Sequence, residues 1–217
     1  MGAPVEMEFC VNLGAAPDLP GEFAILQLRP MGAREELLRI DIDRKEIDSA
    51  FVYSRQALGN TMSNDIRDIV FIKPEKFDPG KTPIIAREIG TINRCLRKDG
   101  DKYLLIGPGR WGSSDRWLGI PVRWEEISEA GAIVEADHTK LHAEPSQGSH
   151  FFHNITTMGI NYLTVSQEKG DRIDWQWLNE QPRKMETDYV AVVRLERPFA
   201  LKVDGRQSRA VIYKTQS

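Results

Sequence analysis

The segment 68–107 restricts the fold most strongly, because two apolar runs flank a long amphipathic pattern. DIVFI and KYLLIG are typical of buried strands, and between them lies a helical set of apolar residues, Ile85, Ile89, Ile92 and Leu96. Thr82 as N-cap, Pro83 at the first helical position and Gly100 as the stop complete the signal. The spacing predicts an amphipathic helix over about 83–98.

A strand, a helix and a second strand in succession indicate a βαβ-like unit, for which parallel pairing and a right-handed crossover are the default. Further strands are predicted at AIVEA, INYLTVS and TDYVAVVRLE. FALKV and RAVIYK flank a DGR turn and indicate a closing antiparallel pair. We therefore expect the α/β class, with a mixed sheet, a βαβ unit and an antiparallel β-rich C-terminal part.

Composition excludes several classes of partner. Lys plus Arg (29) nearly balance Asp plus Glu (32), which argues against a nucleic-acid binder. No apolar run approaches the roughly 20 residues that span a bilayer, and MGAPVE carries neither a secretion nor a myristoylation signal. Cys10 and Cys95 are the two cysteines, which favours a reducing compartment. We expect a cytoplasmic protein that binds neither membrane nor nucleic acid.

The first 30 residues predict a hairpin with a long loop. VEMEFCV alternates strictly, with its two glutamates on one face, and EFAILQLRP alternates again after a Gly- and Pro-rich loop. Alternation in the second strand places Phe23 and Ile25 on the same face as Gln27 and Arg29. A two-stranded ribbon is marginal alone, so this hairpin needs a larger sheet.

The polar face of this hairpin is a candidate nucleotide site. Glu6 and Glu8 are carboxylates that suit Mg²⁺, and Gln27 with Arg29 suits phosphate oxygens. The alternative is a solvated sheet face that carries a cross-strand ion pair.

PVEMEFCV followed by EFAILQLRPM resembles the closing hairpin of the ATP-grasp-type nucleotide-binding domain in the pyruvate phosphate dikinase and phosphoenolpyruvate synthase family. By this resemblance, Glu8 matches the metal-binding and catalytic glutamate. Gln27 and Arg29 match the glutamine and arginine of the nucleotide site, Arg29 with a catalytic role. Glu6 stands where the family usually has aspartate. The resemblance covers about 26 residues, in the same order in both strands.

The resemblance implies the C-terminal part of an ATP-dependent phosphotransferase acting on pyruvate, with ATP and Mg²⁺ as cofactors. Residues 1–32 would be the closing hairpin, completed by the N-terminal remainder of the nucleotide-binding domain and inactive without it. The family's phosphocarrier motif, of the form GGxTSHAA, does not occur. Residues 33–217 look like the tail of bacterial phosphoenolpyruvate synthase-like proteins, for which no activity is implied. The alternative is a non-catalytic interaction or anion-binding module.

GPGRWGSSD follows the second apolar strand of the βαβ-like unit and is a candidate anion-binding loop. Its backbone would lie at the carboxyl end of a sheet, where α/β proteins commonly bind ligands. The residues concerned are Gly107, Gly109, Arg110, Gly112, Ser113 and Ser114. The loop is neither a Walker motif nor a dinucleotide fingerprint. The alternative is a structural turn anchored by tryptophan.

All four histidines lie within 138–153. HxxxH followed by HxxH is compatible with a metal site, although neither Cys nor HExxH accompanies it. SQGSH instead indicates a helix N-terminus, where free N–H groups and the helix dipole favour an anion. Ser149 and His150 are therefore candidate anion ligands, while His138 and His142 are interpreted as solvated loop residues.

Overall fold

The computed structural model describes residues 5–12, 21–30, 39–115, 117–141 and 160–215. They belong to two compact units, Met1–Arg39 and Ile40–Ser217. The domain boundary predicted after residue 32 falls among residues 31–38, which lie outside the described residues.

The described part of the first unit is an antiparallel hairpin of β1 (Val5–Asn12) and β2 (Glu22–Pro30). The register is interrupted by a β-bulge: Glu8 lies opposite Gln27, whereas Phe9 lies opposite Ile25. Leu26 is therefore an extra residue on β2. An extra residue reverses the alternation of the strand beyond it.

The bulge corrects the predicted distribution of side chains between the two faces. Directly opposed residues share a face, and Phe23 and Ile25 pair with Val11 and Phe9 rather than extending the face of Gln27. The rings of Phe9 and Phe23 accordingly stack at a centroid distance of 5.0 Å. The hairpin thus has one apolar face, made by Met7, Phe9, Val11, Phe23, Ile25 and Leu28. These six side chains are 42–56% exposed.

The second unit contains the remaining described elements. Its helices are α1 (Arg44–Ser49), α2 (Thr82–Asp99) and α3 (Trp175–Glu180). Its first strands are β3 (Ala50–Ser54), β4 (Gln56–Leu58), β5 (Asn60–Ser63), β6 (Asp68–Ile72), β7 (Tyr103–Pro108), β8 (Arg110–Trp111) and β9 (Gly119–Ile120). Its later strands are β10 (Ala130–Ala136), β11 (Asn161–Val165), β12 (Arg172–Ile173), β13 (Arg183–Glu186), β14 (Val190–Arg194), β15 (Phe199–Asp204) and β16 (Arg209–Lys214).

The described strands of this unit form two large sheets and a short pair. The larger sheet has the order β13-β14-β6-β7-β10-β11-β4, in which β6, β7, β10 and β11 run parallel. The smaller sheet has the order β12-β3-β16-β15-β5 and is antiparallel, while β8 and β9 pair by themselves. Helix α2 joins β6 to β7 along the chain. The fold is a mixture of helix and strand, as predicted, and most strand pairings are antiparallel.

The larger sheet is buried on both faces, which explains why its parallel strands are continuous apolar runs. Ile69 and Phe71 of β6 pack with residues of the smaller sheet and α3. Val70 and Ile72 of the same strand pack on the other face, against α2 and the segment around Trp111. The unit therefore has three layers: helix, sheet and sheet.

Helix α2 begins differently from the prediction. Thr82 is its first residue rather than its N-cap, because a 3-10 turn at Pro79–Lys81 leads directly into the helix. The Thr82 hydroxyl donates a hydrogen bond to the carbonyl of Pro79 (3.1 Å). Gly100 ends the helix, as predicted, and it has a left-handed conformation. No helix in the described part of the chain is both long and apolar enough to cross a membrane.

Two ion pairs make the second unit sensitive to acid. The hydrogen bond from Arg194 lowers the pKa of Asp101, and the hydrogen bond from Lys102 (2.9 Å) lowers the pKa of Glu129. A carboxyl whose pKa is lower in the folded state stabilises the fold above its unfolded pKa, and this contribution disappears as the pH falls. We expect the urea midpoint to fall steadily below about pH 4.5. An unchanged midpoint down to about pH 3 would contradict this expectation.

Candidate functional site

A pocket of about 830 Å³ lies in the second unit at the carboxyl ends of β7, β10 and β11. Pro108, Ala136 and Val165, which are the last residues of these three strands, all line it. Ligands of open α/β sheets commonly bind at this edge, and the volume is typical of small-molecule sites. The pocket is therefore the main candidate ligand site among the described residues.

Two polar side chains face one another across the strands that line this pocket. Thr164 of β11 is paired with Gln56 of β4. Thr164 is only 7% exposed, and its Oγ1 has no hydrogen-bond partner among the described residues. Nε2 of Gln56 also has no hydrogen-bond partner among the described residues. Buried polar atoms are normally hydrogen-bonded, so these two atoms are exceptions to the rule.

A buried carboxylate lies on the neighbouring strand. Glu135 of β10 is 3% exposed and lines the pocket, and its Oε1 accepts a hydrogen bond from the Trp111 backbone N–H (3.3 Å). The rest of the described lining includes apolar side chains, among them Ile72, Leu141 and Trp175. The pocket thus combines an apolar wall with a few polar groups, as small-molecule sites usually do.

His138 lines the same pocket but is held by the protein. Its Nδ1 accepts a hydrogen bond from the Lys140 backbone N–H (3.1 Å), so Nε2 carries the proton that it shares with the Pro74 carbonyl (3.2 Å). The ring also packs edge-on against Phe77, with centroids 4.9 Å apart. The interpretation of His138 as a solvated loop residue is wrong, because both ring nitrogens are bonded.

The glycine-rich loop begins at the rim of the pocket and is closely packed. Gly109 lines the pocket in a left-handed conformation (φ 67°), and a Cβ there would lie 1.9 Å from Leu141 Cδ2. A Cβ at Gly107 would lie 2.6 Å from Trp111 Cζ2. Trp111 is 1% exposed, and its Nε1 donates to the Val134 carbonyl (3.1 Å). Packing against Trp111 and Leu141 therefore accounts for two of the loop glycines.

The other predicted loop residues lie further along the loop. Arg110 belongs to β8, and its backbone N–H donates to the Leu118 carbonyl (2.9 Å). Gly112 has a left-handed conformation (φ 77°). The Ser113 hydroxyl bonds to the backbone carbonyl of Asp115 (3.1 Å). Ser114 is exposed. Of the predicted loop residues, only Gly109 lies in the described lining of the pocket.

Two predicted anion ligands belong to SQGSH, the predicted helix N-terminus. Ser149 and His150 lie outside the described residues, as do His142 and His153.

The hairpin brings the predicted nucleotide residues into register. The Cα of Glu8 is opposite that of Gln27, and the Cα of Glu6 is opposite that of Arg29. Glu8 and Gln27 are both exposed. Among the described residues, no group of three or more His, Cys, Asp or Glu side chains could hold a metal ion. A single carboxylate is still compatible with Mg²⁺, which is commonly bound by one or two carboxylates, substrate phosphates and water.

Sequence reasoning missed Gln56, Glu135 and Thr164. Glu135 and Thr164 interrupt the otherwise apolar strands AIVEA and NYLTV, and this interruption is a signal that the sequence contains. Gln56 carries no comparable signal, because its place in the pocket depends on pairing between β4 and β11, which are distant in the chain.

The comparisons with known proteins assign no class to this architecture. No protein family matches the chain, and neither a curated protein nor a solved structure matches it.

Proposed function

We propose that this chain is the C-terminal part of an ATP-dependent phosphotransferase that resembles pyruvate phosphate dikinase and phosphoenolpyruvate synthase. Its hairpin would contribute the last two strands of the nucleotide site. The observation that carries the proposal is the bulged register, which pairs Glu8 with Gln27 and Glu6 with Arg29. The same bulge gathers the apolar side chains on the opposite face and leaves Glu8 and Gln27 together on the polar face.

The proposed roles follow from the chemistry of each side chain. The Glu8 carboxylate would bind Mg²⁺, and Glu6 is a second carboxylate one residue pair away. Gln27 would hydrogen-bond the nucleotide, and Arg29 would neutralise phosphate oxygens through its guanidinium group. Mg²⁺ would neutralise the developing charge on the phosphates during transfer to pyruvate.

The apolar face of the hairpin supports the need for a larger domain. Its six side chains are 42–56% exposed, which is unusual for a contiguous apolar surface on a folded protein. The N-terminal remainder of the nucleotide-binding domain would cover this face. Cys10 and Cys95 are free thiols, which is compatible with the proposed cytoplasmic location.

Turnover in the longer protein tests this assignment. In the protein that includes the rest of the nucleotide-binding domain, Glu8→Gln and Arg29→Ala should each lower pyruvate-dependent ATP consumption by about 100-fold or more. Glu22→Gln is the matched control, because Glu22 lies on the same hairpin opposite Asn12, far from the proposed site along the strand. Full turnover in the Glu8 and Arg29 variants would exclude these residues from the site.

A further inference from the structure

We propose that β13 is a releasable edge strand, which an ion-pair cluster around Lys184 keeps on the larger sheet. Its release would uncover the edge of β14 while the rest of the second unit stays folded. An uncovered strand edge presents unpaired backbone N–H and C=O groups and can pair with another strand. This inference goes beyond the proposed phosphotransferase function, because it uses no residue of the hairpin.

Strand β13 is weakly anchored by apolar burial. It is the outermost described strand of the larger sheet and pairs with β14. None of its four described residues is buried, whereas residues 190–193 of β14 are all buried. Met185 is the one apolar residue of β13, and it is only partly buried against the cluster between the larger sheet and α2. Apolar burial is the main stabilising contribution in most strands, so β13 needs another kind of attachment.

A β-bulge in β13 removes Lys184 from the regular alternation of the strand. Arg183 lies opposite Val193 and Met185 lies opposite Val192, so Lys184 is an extra residue between them. Bulges commonly redirect a side chain. Arg183 and Met185 consequently point to opposite faces of the sheet, like the two residues of β14 with which they pair.

The Lys184 ion-pair cluster consists of Lys184 and the carboxylates of Asp68, Asp99 and Asp101. The Lys184 Nζ lies 3.5–3.6 Å from an oxygen of each carboxylate. This Nζ is buried and has no hydrogen-bond partner among the described residues, so it is held by charge rather than by hydrogen bonds. Arg194 also pairs with Asp68 and Asp101. Without Lys184, three neighbouring carboxylates would share one cation, and their repulsion is strong in a partly buried site.

The other polar side chains of β13 also attach through charged groups. Glu186 accepts a hydrogen bond from Lys73 Nζ (3.0 Å). Arg183 donates to the Leu178 carbonyl (2.9 Å), and its Cζ lies 5.0 Å from the centroid of the Phe71 ring. Salt screens interactions between exposed charges, and the side chain of Glu186 is 50% exposed. The attachment of β13 should therefore weaken as the ionic strength rises.

Hydrogen exchange of the 217-residue chain tests the release of β13. In the wild type, the amides that bond β13 to β14 should exchange at least about 10-fold faster than those of β7, the buried central strand of the sheet. Equal rates in the two places would show that β13 opens only together with the whole unit, and would overturn the proposal.

The substitution Lys184→Met tests the role of the ion-pair cluster. It keeps the length of the side chain but removes its charge, so the amides between β13 and β14 should exchange about 10-fold faster than in the wild type, while those of β7 stay unchanged. Lys202→Met is the matched control: the Lys202 side chain is 19% exposed and pairs with Glu46, but it belongs to the smaller sheet. It should leave the amides between β13 and β14 unchanged. The same absence of effect in Lys184→Met would overturn the proposal.

Salt provides a test that needs no substitution. Raising NaCl from about 0.1 to about 1 M shortens the screening length from about 10 to about 3 Å. In the wild type, this change should accelerate exchange of the amides between β13 and β14 by about 3-fold or more relative to β7. An acceleration that is absent, or equal in β7, would contradict an attachment through charge and overturn the proposal.

Discussion

Replacing Arg194 by alanine should lower the free energy of unfolding by about 3–5 kcal/mol. Arg194 of β14 donates two hydrogen bonds to Asp68 of β6, at 2.8 and 2.5 Å, and a further one to Asp101. Asp68 is 1% exposed. Lys184 also forms an ion pair with this carboxylate, but its Nζ is 3.6 Å from Asp68 Oδ2. A buried carboxylate that loses its bidentate partner is one of the most destabilising changes in a protein core.

Chemical denaturation of the wild type and two variants measures this effect. Arg44→Ala is the matched control, because Arg44 forms an ion pair with Asp48 in which both side chains are largely exposed. Such pairs contribute about 1 kcal/mol or less. If Arg194→Ala were as stable as Arg44→Ala, the burial of the Asp68 carboxylate would not depend on its ion pair with Arg194.

Replacing Trp111 by alanine should also lower the free energy of unfolding by about 3–5 kcal/mol. Trp111 is 1% exposed, and its ring packs against Gly107 and belongs to the buried cluster between the larger sheet and α2. The substitution would leave a large cavity and remove the hydrogen bond to the Val134 carbonyl. The packing of the glycine-rich loop therefore depends on the Trp111 ring.

Trp117 provides the matched control for this experiment. It belongs to the same loop region but is 62% exposed, so Trp117→Ala should change stability by no more than about 0.5 kcal/mol. Equal effects of the two substitutions, measured by urea denaturation, would show that Trp111 does not anchor the loop.

Local patterns predicted most of the elements, because burial on one or both faces imposes a period on the sequence. The helix at Thr82–Asp99 and the strands Ala130–Ala136 and Asn161–Val165 lie where the apolar runs predict them. The closing hairpin Phe199–Asp204 with Arg209–Lys214 also follows its turn signal. These features depend on neighbours in the sequence, which are visible without a structure.

Features that depend on register were not predictable. Strict alternation assigned Phe23 and Ile25 to the polar face of the hairpin, and one extra residue, Leu26, reverses that assignment. The sequence gives no reliable signal for this bulge, because Leu26 is compatible both with regular alternation and with an extra residue in the strand. The predicted N-cap of α2 was also wrong, because a 3-10 turn precedes the helix.

The candidate site was predictable only in part. The carboxyl end of β7 was expected to lie near a ligand, and Gly109 does line a pocket. The pairing of Gln56 with Thr164, by contrast, joins residues that are far apart in the chain. The bonds of His138 depend equally on distant partners, since Pro74 is 64 residues away. Side chains that meet through tertiary pairing leave no local pattern.

The most direct test of the nucleotide-site proposal is a crystal structure of the protein, including the rest of its nucleotide-binding domain, with ATP and Mn²⁺ in place of Mg²⁺. The account predicts an anomalous peak within coordination distance of the Glu8 carboxylate, about 2.0–2.2 Å, with the triphosphate near Gln27 and Arg29. A nucleotide and metal bound elsewhere, with the polar face of the hairpin free of both, would contradict it.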